Sequence, residues 1–369
     1  MEFEKHTGIF STSGDVASAL STGAINKPYM AIVGNEMDWN TQTPPIDYSK
    51  MYFTIEALSA GTIEFMKEGT GSSVVLDYSV DDGVSWTTFT STTAGTQIQV
   101  AAGDKVMFRG ENSAFKLSNT YNHFWSGSTA VYEVYGNTMS LLYGDDFQDK
   151  TTISNYAFQR LFYGCLTLIS ASNLILPATS LKHNCYNSMF AGCTSLTVAP
   201  ELPATTLDNF CYGSMFAGCT SLTTAPELPA TTLAQQSYQY MFSGCTSLTT
   251  APELPATTIA PNCYGSMFLG CTSLTTAPEL PATGLWASCY KSMFSGCSLV
   301  SGITCLATDI PATSCTSNWL AGVSPTGVFY KHPDMNDWTT GVNGIPDGWT
   351  VVDYTTEGSR NITFRYKRL

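Results

Sequence analysis

The sequence predicts a multidomain, mainly β protein in which an N-terminal β-sandwich precedes a solenoid of 26-residue coils, each with a short strand plus a short helix, closed by a C-terminal cap. Three observations carry this reading. Met189, Met215, Met241, Met267 and Met293 recur at an unbroken step of 26 residues, within copies as alike as MFAGCTSLTTAPELPATTLA and MFSGCTSLTTAPELPATTIA. Seven short alternating runs lie between Tyr48 and Tyr143, and bulky residues accumulate after the repeat phrase decays near Cys297. The expected organisation is a docking or capping segment over 1–45, a β-sandwich over 46–150, repeats over 151–320 and a cap over 321–369. A repeat of this length is one supersecondary unit that stacks on its copies. Ordering one coil costs roughly 1–2 kcal/mol per residue in backbone entropy, more than its own apolar side chains return, so neighbours must bury each other and both ends need caps.

Composition sets the outer bounds. Of 369 residues, 43% are hydrophobic, enough for packed cores, and the net charge of −13 disfavours a nucleic-acid partner. Four basic residues near the end, Arg360, Arg365, Lys367 and Arg368, are a local exception that reads as a solvated terminal strand. MEFEKHTGIF has neither a basic n-region nor an apolar h-region, so no secretory signal is expected at this N-terminus. A native start at Met1 implies release into the cytosol, whereas a longer chain has room for a signal upstream. No run is apolar enough to span a membrane, and no membrane insertion is expected. All twelve Cys lie between Cys165 and Cys315, and they follow the repeat phase without CxxC or Cys/His zinc spacing. Ser237 takes a Cys position in one copy, which obligate pairs would not tolerate; free, buried thiols are expected.

In chain order, STSGDVASALSTG predicts a short helix ending at Gly23, and Pro28 to Val33 a strand. Attachment to a larger assembly and packing onto the next domain are both open for this segment. The runs MYFTIEAL, TIEFMKEG, VVLDYSVDDG, WTTFTS, TQIQVAAG, KVMFRG and AVYEVYG follow at hairpin spacing and predict the antiparallel sandwich. Within them Ser79, Asp81, Gly83 and Trp86 match S-x-D-x-G-x-x-W, the Asp-box, and resemble the hairpins of sialidase propellers. The resemblance implies a structural turn: Asp folds onto the backbone, Gly takes positive φ and Trp packs beneath. Between Met139 and Arg160 a helical turn and a hinge are expected. Asp145, Asp146 and Asp149 there read as solvated loop acids, because no EF-type spacing supplies a Ca²⁺ shell.

Within a coil, Cys211, Tyr212, Met215, Phe216 and Cys219 fall on one arc at 100° per residue, which predicts about two turns of helix. Leu222 to Leu228 alternates and contains Pro226, so its strand is brief or lies at the edge of the hydrogen-bonded run. Past Cys297 the phrase is lost, and Phe329, Tyr330, Trp338, Trp349, Val351 and Val352 are expected to cover the last coil. NITFRYKRL reads as a final strand.

The phrase MFxGCTSLTTAPELPATTLA resembles the BspA-type leucine-rich repeats of surface proteins of gut Bacteroidetes and of their phages and prophages, over about residues 155 to 320. GIPDGWTVVDY, Gly344 to Tyr354, resembles the segment that closes such arrays, and DVASALSTGAINKPYMAIV resembles a leading segment of phage-associated proteins from that host group. The resemblance implies a right-handed leucine-rich-repeat solenoid used for adhesion or protein contact, without catalysis. It implies other virion or cell-surface proteins and a host surface protein or glycan as partners, with several copies in an assembly, and it supplies no fixed binding residues.

Chemistry is expected to be absent. His6, His123, His183 and His332 are scattered, and HExxH, GxSxG, GxGxxG and Walker phrases are missing. No catalytic residue, metal or cofactor is expected. The surface that remains is repeated: Glu201, Glu227, Glu253 and Glu279 recur at one phase, so stacking aligns them in an acidic ladder that can attract a basic partner or a cation. One Glu per coil also keeps a neutral solenoid soluble, and that reading stands beside the first. Parallel threonine rows, such as Thr223/Thr224 and Thr231/Thr232, suit glycans and exposed turns equally. The function expected is a non-enzymatic phage virion protein whose repeats mediate attachment; the alternative is a bacterial cell-surface adhesin of the same repeat family.

Overall fold

The computed structural model describes residues 46–117, 119–124, 127–311 and 314–355, together with strands β1 (Ile32–Val33) and β2 (Glu36–Met37). The chain divides into two compact units, Met1–Asp47 and Tyr48–Leu369. In the first, β1 and β2 pair antiparallel, and β1 ends the run read as a strand from Pro28. The expected helix over STSGDVASALSTG and the strand NITFRYKRL lie outside the described residues.

The second unit is mainly β and is built from several open sheets. Its first half holds β3 (Phe53–Ala57), β4 (Gly61–Glu68), β5 (Val75–Ser79), β6 (Thr87–Thr90), β7 (Thr96–Val100), β8 (Lys105–Arg109), β9 (Lys116–Leu117), β10 (Thr120–Phe124) and β11 (Tyr132–Asn137). One sheet has the order β7-β4-β10-β9 and is antiparallel throughout. The other runs β11-β3-β8-β5-β6, also antiparallel, and gains β12 (Leu168–Ile175) parallel to β11. The buried faces of the two sheets meet through Phe124, which lies beside Phe65 in its own sheet and contacts Phe53 and Phe108 of the other at 5.6 and 5.2 Å. Seven of these strands are the alternating runs of the sequence. β10 escaped notice because its centre is polar: Asn122 is buried, yet it accepts from Ser91 Oγ and donates to the Phe115 carbonyl at 3.1 Å.

The expected hinge is not one. A single turn of helix, α1 (Ser140–Tyr143), does follow β11. Beyond it, Phe115 N–H bonds Ala157 O at 2.8 Å, Phe124 N–H bonds Leu161 O at 2.9 Å, and Phe162 stacks on Phe124 at 5.4 Å. Apolar contacts therefore continue without a break from the sheets into the repeats, and the first copy is covered by the preceding fold.

The repeat copies correct the helical reading. From Asp208 to Cys219 the backbone makes overlapping turns in which alternate amides divide their work. Cys211, Gly213, Met215, Ala217 and Cys219 N–H each bond the carbonyl three residues back, while Phe210, Tyr212, Ser214, Phe216 and Gly218 N–H bond the next copy, at Gln235, Ser237, Gln239, Met241 and Ser243 O. Positive φ recurs every fourth residue at Phe210, Ser214 and Gly218 (62°, 56° and 75°), as turns closed around a left-handed third residue require. This gives a period of four with two side chains in and two out, so Cys211, Tyr212, Met215, Phe216 and Cys219 are still all buried. The expected strand in each coil contracts to single parallel bridges, Val198↔Thr224, Thr224↔Thr250 and Thr250↔Thr276, with a second set at Ser180↔Thr206 and Thr232↔Thr258.

The same phase stacks identical rings. One column runs Phe124, Phe162, Phe190, Phe216, Phe242, Phe268, Phe294 at centroid distances of 5.2–5.7 Å. The other runs Phe158, Tyr186, Tyr212, Tyr238, Tyr264, Tyr290, Trp319 at 5.7–6.2 Å, and ends on Trp338, which stacks on Trp319 at 5.4 Å. The array closes on a parallel sheet of β13 (Glu279–Leu280), β14 (Gly302–Cys305), β15 (Val328–Lys331) and β16 (Thr350–Asp353). Phe329 and Trp349 are buried there as expected, but Val351 and Val352 are not: they remain 45% and 38% exposed on the outer strand.

All twelve Cys are free and buried. At the Gly-Cys step of each copy Cys193, Cys219, Cys245, Cys271 and Cys297 donate S–H to a phenylalanine carbonyl one copy back at 2.9–3.1 Å, and Cys165 donates to Phe124 O of β10 at 3.2 Å. Burial pushes the thiols up, Cys219 and Cys263 to about 12, so they stay protonated and unreactive at neutral pH. A thiol reagent at pH 8 should therefore label the native protein hardly at all, and label close to twelve thiols once it is unfolded without reductant. Recovery of only a few would contradict the free-thiol assignment.

Ser237 is fully buried in the other Cys column, and its hydroxyl has no hydrogen-bond partner among the described residues. Ser237→Cys removes that unsatisfied hydroxyl and restores the column, and a stabilisation of about 1–3 kcal/mol is expected. Denaturant unfolding of the two proteins measures it; a less stable Cys variant would show that the hydroxyl is satisfied.

Candidate functional site

The acidic ladder sits on the side of each copy opposed to hydrogen bonding between copies. In A-P-E-L-P-A the backbone is extended: Pro252, Leu254 and Ala256 point inward and are buried, while Glu253 and Pro255 point outward. Two of the six residues lack an N–H. No backbone hydrogen bond joins residues 226–230 to residues 252–256, although bridges close the copies on either side at Thr224↔Thr250 and Thr232↔Thr258. The unzipped stretch between the bridges is a groove.

Two such grooves share one segment. The first, about 560 Å³, is lined by Thr250, Ala251, Pro252, Glu253, Leu254 and Pro255 of one copy and by Thr276, Ala277, Pro278, Glu279 and Pro281 of the next. The second, about 390 Å³, lies between Glu227 with Pro229 and the same Pro252, Glu253 and Pro255. The structure thus brings Glu227, Glu253 and Glu279 into one trough. Glu201 continues the phase one copy earlier and is likewise exposed, outside these two grooves.

The trough is acidic and nothing nearby neutralises it. Over residues 161–311 six acids, Glu201, Asp208, Glu227, Glu253, Glu279 and Asp309, face two bases, Lys182 and Lys291, a balance of 2 − 6 = −4. Among the described residues no basic side chain pairs with Glu201, Glu227, Glu253 or Glu279. One neutral donor does reach the ladder: Tyr354 Oη, just beyond β16, donates to Glu279 Oε2 at 3.2 Å. The sequence identified the carboxylates but missed their setting. The prolines, read there as limits on strand length, are the groove walls, and nothing in the sequence links Tyr354 to a Glu 75 residues earlier.

A second concavity, about 270 Å³, adjoins the Asp-box hairpin and is lined by Val75, Asp77, Arg109, Gly110, Glu111, Gly144 and Asp145. Its one cation is already engaged. Arg109 bonds Asp145 at 2.7 Å and Asp77 at 3.2 Å, and lies over the Trp86 ring at 4.1 Å. Asp145 also accepts from Tyr52 Oη at 2.8 Å, and that bond, ahead of the Arg109 charge, holds its pKa below the usual range. Asp145 is therefore an ion-pair member while staying exposed, as Asp146 and Asp149 are. No group of acids, His and Cys suited to a metal ion occurs among the described residues. The histidines stand apart: His123 is buried, with Nδ1 against Phe124 O, His183 packs between Tyr156 and Phe210, and His332 lies 3.7 Å from Asp334.

No protein-family model, no curated protein and no solved structure matches this chain.

The Asp-box turn forms as its residues imply. Asp81 accepts from Ser85 N–H and Oγ at 2.9 and 2.6 Å and from Ser79 Oγ at 2.7 Å, Gly83 has φ 83°, and Trp86 Nε1 donates to Gly83 O. The Ser85 hydroxyl bond, first among these, lowers Asp81 to about 2. A carboxylate depressed in the folded state stabilises it above the unfolded pKa of about 3.9 and loses that contribution as pH falls through about 2. The melting advantage of wild type over Asp81→Asn should accordingly be constant above about pH 5 and shrink toward pH 2. A difference independent of pH across that range would contradict the assignment.

Proposed function

We propose that the 26-residue copies form a leucine-rich-repeat solenoid of the BspA type behind an N-terminal β-sandwich, and that the protein is a non-enzymatic attachment protein of a phage virion. The observation that carries the reading is the recurrence of one exposed, proline-walled, glutamate-bearing surface at a fixed step on a buried scaffold. Amide bonds from copy to copy and the two aromatic columns support stacked coils. Repeated identical surface is suited to many weak contacts, and several copies on one particle multiply these through effective concentration. The MFxGCTSLTTAPELPATTLA phrase, through its resemblance, supports adhesion and the phage setting.

Since the repeats share their core with the preceding sheets, the test uses the whole chain. Beads carrying the full-length protein should retain a surface component from envelopes of gut Bacteroidetes or from mucosal extract, whereas beads carrying a protein of equal charge should not. Antibody against the protein should label phage particles from such bacteria by immunogold. Labelled cell envelopes beside unlabelled particles would overturn the virion placement in favour of a cell-surface adhesin, and beads that retain nothing would count against attachment itself.

A further inference from the structure

The closing sheet ends on an edge that the repeats do not cover. Among the described residues β16 pairs on one side only, with β15, and all four of its residues are exposed. We propose that this chain's own C-terminal segment, from Arg360 to Phe364, folds back antiparallel on β16 as the next strand of the sheet, and that it shields this edge from pairing with another protein molecule, whatever the repeats attach to.

The core runs out at this edge. Ile303, Phe329 and Val351 occupy one register position across β14, β15 and β16, yet the first two are buried and Val351 is 45% exposed. Thr350 N–H bonds Gly327 O and Tyr354 N–H bonds Lys331 O. Alternate residues of a strand serve the same neighbour, so the backbone groups of Val351 and Asp353 are directed away from β15. An edge of this kind, with two valines and no lysine, is a template for another strand. The chain that leaves it starts from a fixed point, because Tyr354 is tied by its amide to Lys331 O at 2.7 Å and by its hydroxyl to Glu279 Oε2 at 3.2 Å.

One register fits the residues that follow. A connection from Thr355 to Gly358 is a usual length for a hairpin, with glycine at its end, and it sets Tyr354 opposite Ser359. Arg360 then lies opposite Asp353, Asn361 opposite Val352, Ile362 opposite Val351 and Thr363 opposite Thr350. Opposite charges meet in the first of these pairs, apolar side chains in the third and hydroxyls in the fourth, each a favourable cross-strand pair. Asp353 is exposed and bonds Lys331 at 2.6 Å on one side, which leaves its other side open to Arg360. Phe364 follows Ile362 on the face that Val351 shares with Phe329. Slipping the pairing by one residue would turn Ile362 and Phe364 to the other face. Slipping it by two would set Arg360 opposite Val351, or Ile362 opposite Asp353. The new edge would end in Arg365, Lys367 and Arg368, the charged kind that discourages further pairing.

The experiment places cysteine pairs in the full chain, whose own thiols are buried. Val352→Cys with Asn361→Cys joins a non-hydrogen-bonded pair, the kind with closer side chains, and mild oxidation should link it within one chain. Val352→Cys combined with Arg360→Cys or with Ile362→Cys should link several-fold less. Peptide mass spectrometry reads the yields, and non-reducing electrophoresis separates links within a chain from links between chains. Hydrogen exchange of the wild-type chain should find the Val351 and Asp353 amides protected, and Ile362→Asp should speed their exchange about tenfold or more with the melting curve unchanged. If that variant does not fold, the cross-linking yields decide alone. Links between chains would overturn the proposal in favour of segment exchange between copies. Equal yields at the three positions, fast exchange of Val351 and Asp353 in the wild-type chain, or an unchanged rate in the folded variant would each overturn it as well.

Discussion

The structure depends on how the amides of each turn ribbon are divided. One set closes turns within the copy, and the alternate set, Phe210, Tyr212, Ser214, Phe216 and Gly218, has its acceptors only in the following copy. A lone copy would leave these five donors without partners, so order can only be reached by neighbours together. The division also dictates conformation. Residues such as Phe210 and Ser214 sit at positive φ, which is unfavourable by roughly 1–2 kcal/mol for a side chain with a Cβ, and the stacking must more than offset it. At the third such position of every copy stands glycine: a Cβ on Gly218 or Gly244 would meet the Cα of the glycine one copy back at 3.7 Å. Aromatic stacking follows from this register, because identical rings at identical phase have nowhere to go but onto each other, with about 0.5–1.5 kcal/mol per pair beyond burial.

The opposite side of each copy obeys the same hydrogen-bond logic in reverse. Where the ribbon supplies an amide at every second residue, A-P-E-L-P-A supplies prolines, and copies that are zipped at Thr224↔Thr250 and Thr232↔Thr258 part between those bridges. The candidate site is therefore a consequence of backbone chemistry and not only of surface side chains. Between residues 226–230 and 252–256 the outward Glu and Pro take no part in pairing, whereas Glu279 lies in β13 and pairs parallel with β14.

Much of this was legible and some was not, for definable reasons. The step of 26 residues, the buried thiols and the Asp-box turn could be read directly because each rests on residue identity at fixed spacing. The ribbon was misread as helix because buried positions at i, i+1, i+4, i+5 and i+8 fit a period of 3.6 almost as well as a period of four over nine residues. The phase difference accumulates too slowly to discriminate, and only the glycine fixed at every copy's third left-handed position hinted at turns. β10 has no alternating signature because Asn122 and His123 are polar yet buried, and the bonds that satisfy Asn122 come from Ser91, 31 residues earlier, and from the Phe115 carbonyl. The change of pattern between Met139 and Arg160 suggests a hinge but marks no change of body, because the Phe124 to Phe162 stack that joins the two halves has no local signature. For the ladder, the phase of the carboxylates was visible, but the groove that holds them needed the knowledge of which amides go unpaired.

The aromatic columns bear on what the ladder can do. One runs from Phe124 of the N-terminal sheets to Phe294 and the other from Phe158 to Trp319 and Trp338 at the closing end, so the copies are held in one register. A fixed register fixes the carboxylate spacing, and a site that is ordered before binding loses little conformational entropy when it is filled. The same register holds like charges at neighbouring copies, a repulsion of roughly 1 kcal/mol or less per pair in water. That repulsion is sustained by the folded scaffold whether or not anything is bound, and a cationic partner is the kind of ligand that relieves it. Near-identical copies carry each side chain at one phase, so the alignment of Glu201, Glu227, Glu253 and Glu279 follows from the repeat itself, while Asp208 and Lys291 add charges at other phases in single copies.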